Sequence, residues 1–569
     1  MHGWSCSWGR VMASGRFDYI VVGGGSSGCV VASRLVAEQG ARVLLVEAGP
    51  RKVSPILAMP AGYMKFLARD TYLTMHHVVP QPQLSGRAPI VPQARVLGGG
   101  SAVNAMVYIR GQAADYDQWD AALGGTGWSY RDLLPHFIRQ EGNDHLGAPY
   151  HGVAGPLKVS HLGQHSAMSR AFVQAMQERG VPFTPDFNGP RQAGVGFMQH
   201  TIDWTRRRRC SAVDAFLRPV LSDPRLTLAT ETIVTRILME KGRAVGVDLQ
   251  GRAGPERAFA DAEVILAAGT YATPKLLMLS GIGPAEELSR HGIATQVDLP
   301  GVGRNLQDHH EVPIVATTNG AFGYFGQDRG MAMLGAGLQY LLFKSGAVTT
   351  TGVEACAFID PDGGERPTIQ LYCVPTVYLD RDVSGVEPTH GVTLNPCLLR
   401  PKARGSVRLA SADPLAPPQV DPQFFGDPDD LRLTVAALRT AREVLATSPV
   451  REMVERELFP GPGVTSDEDL AAHCRRTVKT NYHPVGTCRM GRETDPLAVV
   501  TPDLFVRGVA GLRIVDASIM PNIPSGNTNA PVLAIADKAV DIITGHARMT
   551  ASPRIAPKSL VATHQVTLP

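Results

Sequence analysis

Residues 17–50, FDYIVVGGGSSGCVVASRLVAEQGARVLLVEAGP, constrain the fold more than any other part of the chain. Residues 19–22 form an apolar, largely β-branched run that suits a strand buried on both faces. Gly23, Gly25 and Gly28 then make G-x-G-x-x-G, with Gly24 and Ser27 inside it. The first glycine allows a tight turn. The second lets a pyrophosphate approach the backbone, and the third lets the next helix pack close to the strand. The helix expected over 27–39 aims its N-terminal N–H groups at a phosphate. Residues 43–46 read as the second strand, with Glu47 and then Ala48 at its end. A carboxylate there suits the 2′-OH of an adenosine ribose. The spacing predicts a βαβ unit that holds a dinucleotide, without separating FAD from NAD.

The chain has 569 residues, too many for one ordinary domain, so two closely packed domains are expected. Hydrophobic residues make up 44% and charged residues 19%, as in globular proteins. The net charge of +3 gives no electrostatic case for a nucleic-acid partner. The basic run 206–209 reads as a solvated loop before a helix. Eight cysteines are scattered without a C-x-x-C pair or zinc-like spacing, so no metal is expected. They read as reduced thiols, which points to a cytoplasmic protein. Residues 331–343, MAMLGAGLQYLLF, are too short to span a bilayer. They read as a buried or lid helix, with peripheral contact to the inner membrane as the alternative. Residues 1–16 and 550–569 read as flexible tails.

Signals of the nucleotide domain recur. AEVILAAG at 262–269 and LRIVDASIMP at 512–521 are apolar strands running into helices. Between them, 368–408 alternates apolar and β-branched residues, as an antiparallel sheet does. Segments 429–446 and 467–480 open with acids and read as surface helices. This gives an α/β chain: a Rossmann-like domain over 17–313, a mainly substrate-binding α+β domain over 314–480, and a return to the first domain over 481–547.

Four segments carry the chemistry. In 94–117, Gly98, Gly99 and Gly100 let the main chain lie against a flat ligand, and Asn104 offers an amide nearby. In 269–283, Thr273 and Pro274 are expected to begin a helix that ends at Ser280 and Gly281. In 481–491, NYHPVGTCRMG, Pro484 restricts His483 to extended geometry and makes it a general-base candidate. In 512–543, the NTNAP turn sets Asn527 and Asn529 before a long apolar helix. Asn529 is read as facing a ligand or capping that helix. His76, His77, His309 and His310 read as structural or surface histidines.

Together these segments resemble the glucose–methanol–choline (GMC) family of FAD-dependent oxidoreductases. The resemblance runs from about residue 17 to residue 543. Segments 94–117 and 269–283 are similar to the family's two signatures, and GVGRNLQDH at 301–309 to a third motif. Within the family the chain looks most like bacterial alkanol and choline dehydrogenases. The resemblance implies that His483 is the catalytic histidine and Asn529 the second active-site residue. It places Gly24, Gly25, Glu47 and Ala48 on the ADP. It puts Val96, Gly99, Asn104, Ala105, Met106 and Val107 around the flavin, and Val234 at the adenine. Asp516 and Ala517 then meet the pyrophosphate and ribityl chain, with Tyr482, Asn527 and Thr528 alongside. Val103 stands where some relatives attach the flavin through histidine, so non-covalent FAD is expected. The implied reaction takes a primary alcohol to an aldehyde, with oxygen or a quinone as electron acceptor. A lyase or photodecarboxylase on the same scaffold is the alternative.

Overall fold

A computed structural model describes residues 15–67, 70–379 and 387–545. The expected tails fall outside these residues, except that Gly15 and Arg16 already belong to the first strand, Gly15–Val22. That strand, the helix Ser26–Gln39 and the strand Val43–Glu47 form the expected βαβ unit. Strand pairing is parallel, with Tyr19 opposite Val43 and Val22 opposite Val46. Five residues of Val43–Glu47 are all buried, which is why this strand shows no alternation.

Seven strands build the first sheet among the described residues. Leu226–Thr230, Val43–Glu47, Gly15–Val22 and Gly254–Leu266 lie side by side and parallel. Leu512–Ile514 joins parallel to the end of Gly254–Leu266, so the chain returns to this sheet some 240 residues later by sequence number. Arg243–Gly251 and Ile233–Glu240 extend the sheet antiparallel. The helices Ser26–Gln39 and Asn529–Thr544 pack together against it.

The second sheet is antiparallel. It runs Val454–Phe459, Ile314–Thr318, Gly391–Leu398, Ile369–Val374, Ala355–Ile359, Gly194–Phe197. The helices Ala167–Glu178 and Pro428–Leu445 cover it through buried residues such as Phe172, Leu438 and Val444. The strand Gly194–Phe197 comes from within the segment assigned to the nucleotide domain, so the two domains interleave.

Two local expectations are corrected. Pro274 does not begin its helix, which spans Gly269–Leu279 with the proline inside. The missing N–H would have served the Thr270 carbonyl. Thr487 Oγ1 donates to that carbonyl at 2.6 Å instead. The helix Asp467–Thr477 also stops before 480, because Lys479–Thr480 leaves as a strand.

Candidate active site

A cavity of about 720 Å³ lies where the two sheets meet. Its walls come from the glycine turn after the first strand, the end of the second strand, residues 99–107, the strand at Ile233, and the segments around His483 and Asn527. This is a size typical of cofactor sites.

The nucleotide end follows from close packing. A Cβ on Gly28 would sit 1.9 Å from the Gly23 carbonyl oxygen, so only glycine lets this helix approach its strand. A Cβ on Gly25 would meet nothing closer than 4.0 Å, which leaves the backbone there open to a ligand. Glu47 ends its strand with Oε2 accepting from Gly24 N at 2.9 Å and Oε1 from Gly49 N at 2.7 Å. Burial pushes this carboxyl up to about 7, against the pull of those two amides.

The middle of the cavity is held by an unexpected residue. Arg209 is buried. Its guanidinium donates to Leu57 O, Ser101 O, Asn104 Oδ1 and Asn104 O at 2.7–3.0 Å. The basic run 206–209 is therefore not wholly a solvated loop: its last member clamps the turn that lines the cavity. Asn104 Oδ1 also accepts from Met106 N at 3.1 Å. Met106 itself takes the left-handed conformation, φ 63°.

The far end is built on a short ladder. His310–Glu311 pairs antiparallel with Lys479–Thr480, setting His310 opposite Thr480 and Glu311 opposite Lys479. Just past it, Asn481 N donates to His309 O at 2.8 Å. Tyr482 turns the chain in the left-handed conformation, φ 64°. Asp308 Oδ1 then accepts from His483 N at 2.9 Å, while Thr480 Oγ1 donates to Asp308 Oδ2 at 2.5 Å. These contacts bring His309 Nδ1 to 3.0 Å from His483 Nδ1.

The protonation pattern follows from one carbonyl. Leu399 O can only accept, and it lies 3.0 Å from His309 Nε2, so Nε2 carries the proton. Burial holds His309 down to about 3, so its Nδ1 stays a lone pair. His483 Nδ1 must therefore donate to it, which leaves His483 Nε2 as an acceptor. Burial, with His309 beside it, keeps His483 well below its ordinary range and neutral. Asn527 Nδ2 lies 3.2 Å from that Nε2, and Tyr372 Oη donates to Asn527 Oδ1 at 3.3 Å. The amide is thereby oriented with N–H toward the histidine.

Several expected positions shift. Asn527, not Asn529, stands beside His483. Asn529 is the first residue of the helix Asn529–Thr544, and its Oδ1 accepts from Ser26 Oγ at 2.8 Å, at the start of the nucleotide helix. Two positions past Asn527, where the helix begins, its side chain faces the phosphate end. His309 is no remote structural histidine, since it backs His483. His76 is buried and lines the cavity, with burial pushing it down to about 4, whereas His77 is exposed. Gly23, Ser27, Ala48, Gly99, Ala105, Val107, Val234, Tyr482, Asp516, Ala517 and Thr528 line the cavity. Gly24, Gly28 and Val96 stand behind its wall. Asp516 accepts from Gly269 N at 2.9 Å and Thr273 Oγ1 at 2.6 Å, which ties both ends of the first domain together.

Comparison with known proteins places this geometry. GMC oxidoreductase family models match residues 17–311 and 401–536. The chain is 41% identical over 538 residues to an alcohol dehydrogenase (acceptor) of Pseudomonas putida, covering 93% of this chain and 95% of that protein. It is 39% identical over 539 residues to the mitochondrial choline dehydrogenase of Homo sapiens, covering 93% and 90%. Among solved structures, pyridoxine 4-oxidase from Mesorbium loti superposes with a TM-score of 0.84 at 31% identity, covering 93% of this chain and 99% of that one. A formate oxidase gives 0.86 at 28% identity, covering 94% and 99%. A dinucleotide cradle, a buried neutral histidine and matches along most of the chain agree: it belongs to the GMC oxidoreductase family, as an FAD-dependent oxidoreductase acting on CH–OH donors.

Proposed function

We propose that the chain oxidises a neutral primary alcohol to the aldehyde, with His483 Nε2 taking the hydroxyl proton. The observation that carries this reading is the hydrogen-bond chain from Leu399 O through His309 to His483, which ends in a lone pair at the cavity. Asn527 Nδ2 donates to that lone pair now. With substrate present, the alcohol O–H takes its place at Nε2, and the Asn527 N–H stabilises the oxygen as charge develops there. A positioned base of this kind contributes about 10²–10⁴-fold.

FAD, when bound, supplies the acceptor for the hydride leaving the carbinol carbon. The residues present suit it. The open backbone at Gly25 and the start of the helix Ser26–Gln39 would hold the pyrophosphate, and Glu47 the ribose. The backbone near Val234 would meet the adenine. Residues 104–107, clamped by Arg209, would hold the ring. Val103 lines the cavity without a group able to form a covalent link, in keeping with dissociable cofactor.

Substrate charge is addressed by one pair. Glu311 and Lys479 both line the cavity, both are buried, and their side chains form an ion pair. A carboxylate already matched to an ammonium favours a neutral alcohol over a quaternary-ammonium one such as choline. Oxygen or a quinone then takes the electrons, and the exposed helix Gly330–Phe343 supports peripheral contact with a membrane.

Anaerobic addition of a panel of primary alcohols tests the proposal through bleaching of the flavin absorbance. Bleaching by a neutral alcohol, lost in His483→Ala with flavin still bound, supports it. A flavin bleached equally by His483→Ala would overturn the assigned base.

A further inference from the structure

The helix Gly330–Phe343 is apolar nearly all round, yet only Ala336 and Tyr340 are buried. Met331 is 81% exposed, Phe343 74% and Leu342 64%, with Leu334, Leu338 and Leu341 also in solvent. An apolar surface this large marks an interaction site. With 14 residues, the helix is too short to cross a bilayer, and no helix among the described residues is long and apolar enough to do so. It can lie in a membrane surface instead.

Charge around the helix selects the partner. Arg329 precedes it and Lys344 follows it, with Lys344 Nζ 4.6 Å from the centre of the Tyr340 ring. Lys65 Nζ reaches Met333 Sδ at 3.6 Å. Tyr340 Oη donates to Arg207 O at 2.8 Å, which brings the run 206–208 to the same edge. Arg206 faces Asp203 and Arg329 faces Asp328, at 3.7 and 3.8 Å, so cations outnumber the acids facing them. A basic rim around an apolar helix complements anionic headgroups.

The same patch adjoins the cavity. Met64 beside Lys65 is exposed on one side and lines the cavity on the other, with Tyr63 and Phe66. Tyr63 Oη donates to Thr351 O at 2.9 Å, next to the cavity residues Gly352 and Val353.

We propose that the helix Gly330–Phe343 and its basic rim dock in the plane of an anionic lipid surface, setting this lip of the cavity at the membrane boundary. The proposal makes specific the peripheral contact proposed above; it does not depend on the alcohol chemistry.

The test uses the full FAD-loaded chain and co-sedimentation with phosphatidylcholine vesicles, with and without phosphatidylglycerol. Binding is expected on the anionic vesicles and should weaken with added salt. The triple variant Leu334→Glu, Leu338→Glu, Leu341→Glu should lose it. Arg329→Glu with Lys344→Glu should lose only the preference for anionic vesicles. All variants should keep anaerobic flavin reduction by a water-soluble alcohol, which reports an intact fold. Failure of the wild type to bind, or unchanged binding by the triple variant, overturns the docking. A wild-type dimer broken by the triple variant, with vesicles unbound, overturns it in favour of a second copy. Vesicle binding by a chain that no alcohol reduces would leave docking in place and remove the proposed substrate.

Discussion

His309 and His483 meet Nδ1 to Nδ1 at 3.0 Å, their rings near perpendicular at 89°, so one ring dictates the proton on the other. Removing His309 leaves His483 free to protonate either nitrogen and to rotate. His309→Ala should slow anaerobic flavin reduction by about tenfold or more, because a base free to take the wrong tautomer or rotate loses part of the about 10²–10⁴-fold it contributes. His309→Gln should recover part of the rate, because its amide oxygen can accept from His483 Nδ1. Equal rates for wild type and His309→Ala, measured by stopped flow, would show that the tautomer needs no such support.

Asn527 and Asn529 are two residues apart and do different work. Asn527→Ala removes the N–H at His483 Nε2 and should lower the reduction rate about 10²–10³-fold. Asn529→Ala breaks the bond from Ser26 Oγ and should cost about 1 kcal/mol of stability, with the rate nearly unchanged. Parallel rate and thermal-melt measurements on the two variants separate the roles; the reverse pattern would restore Asn529 to the reacting end.

The βαβ unit was legible because its constraints are local: a glycine spacing, an apolar run, an acid at the strand end. His483 was legible through Pro484. The partners of His483 were not. His309 precedes the strand His310–Glu311, 174 positions away, and long-range pairing of that strand with Lys479–Thr480, with the backbone contacts beside it, brings it near. Asn527 against Asn529 turns on where the last helix begins, a boundary that residue pattern locates only within a few positions. Arg209 hid within a charge run whose other members are more exposed. Nothing in RRRR marks which guanidinium points inward.

Glu47 sets a pH dependence. Its folded value, about 7, lies above the unfolded value of 4.5, so ionising it in the folded protein costs stability. That cost accumulates as pH rises from 4.5 to about 7 and is constant above. A ribose hydroxyl donates to the ionised form and opposes this. FAD affinity should therefore rise with pH up to about 7 and then level. Flavin binding to apoprotein across this range should show the slope in wild type and lose it in Glu47→Gln; a slope retained in Glu47→Gln would assign it to another group.

Arg209 holds the cavity turn by four hydrogen bonds, and burial pushes its guanidinium down to about 10. Arg209→Met leaves the Ser101, Asn104 and Leu57 oxygens without this donor. The expected loss is about 2–4 kcal/mol of stability, with flavin released on gel filtration. Arg209→Lys should not restore retention, because one ammonium cannot reproduce the forked geometry. Full flavin retention by Arg209→Met would remove the clamp.

Glu311 and Lys479 form a buried cross-strand pair on the cavity wall. Lys479→Met takes the ammonium from a carboxylate that remains buried, which costs about 3–5 kcal/mol in comparable cases. A cationic alcohol in the cavity would supply the missing positive charge. The variant should therefore melt at lower temperature and be stabilised by choline more than wild type is. Its kcat/KM ratio for choline over a neutral alcohol should rise about tenfold or more, each 1.4 kcal/mol of recovered pairing being one decade. The double variant Glu311→Gln, Lys479→Gln removes both charges and should oxidise the neutral alcohol within a few-fold of wild type. A Lys479→Met protein whose preference for neutral alcohols is unchanged would show that this pair only supports the strands and does not read substrate charge.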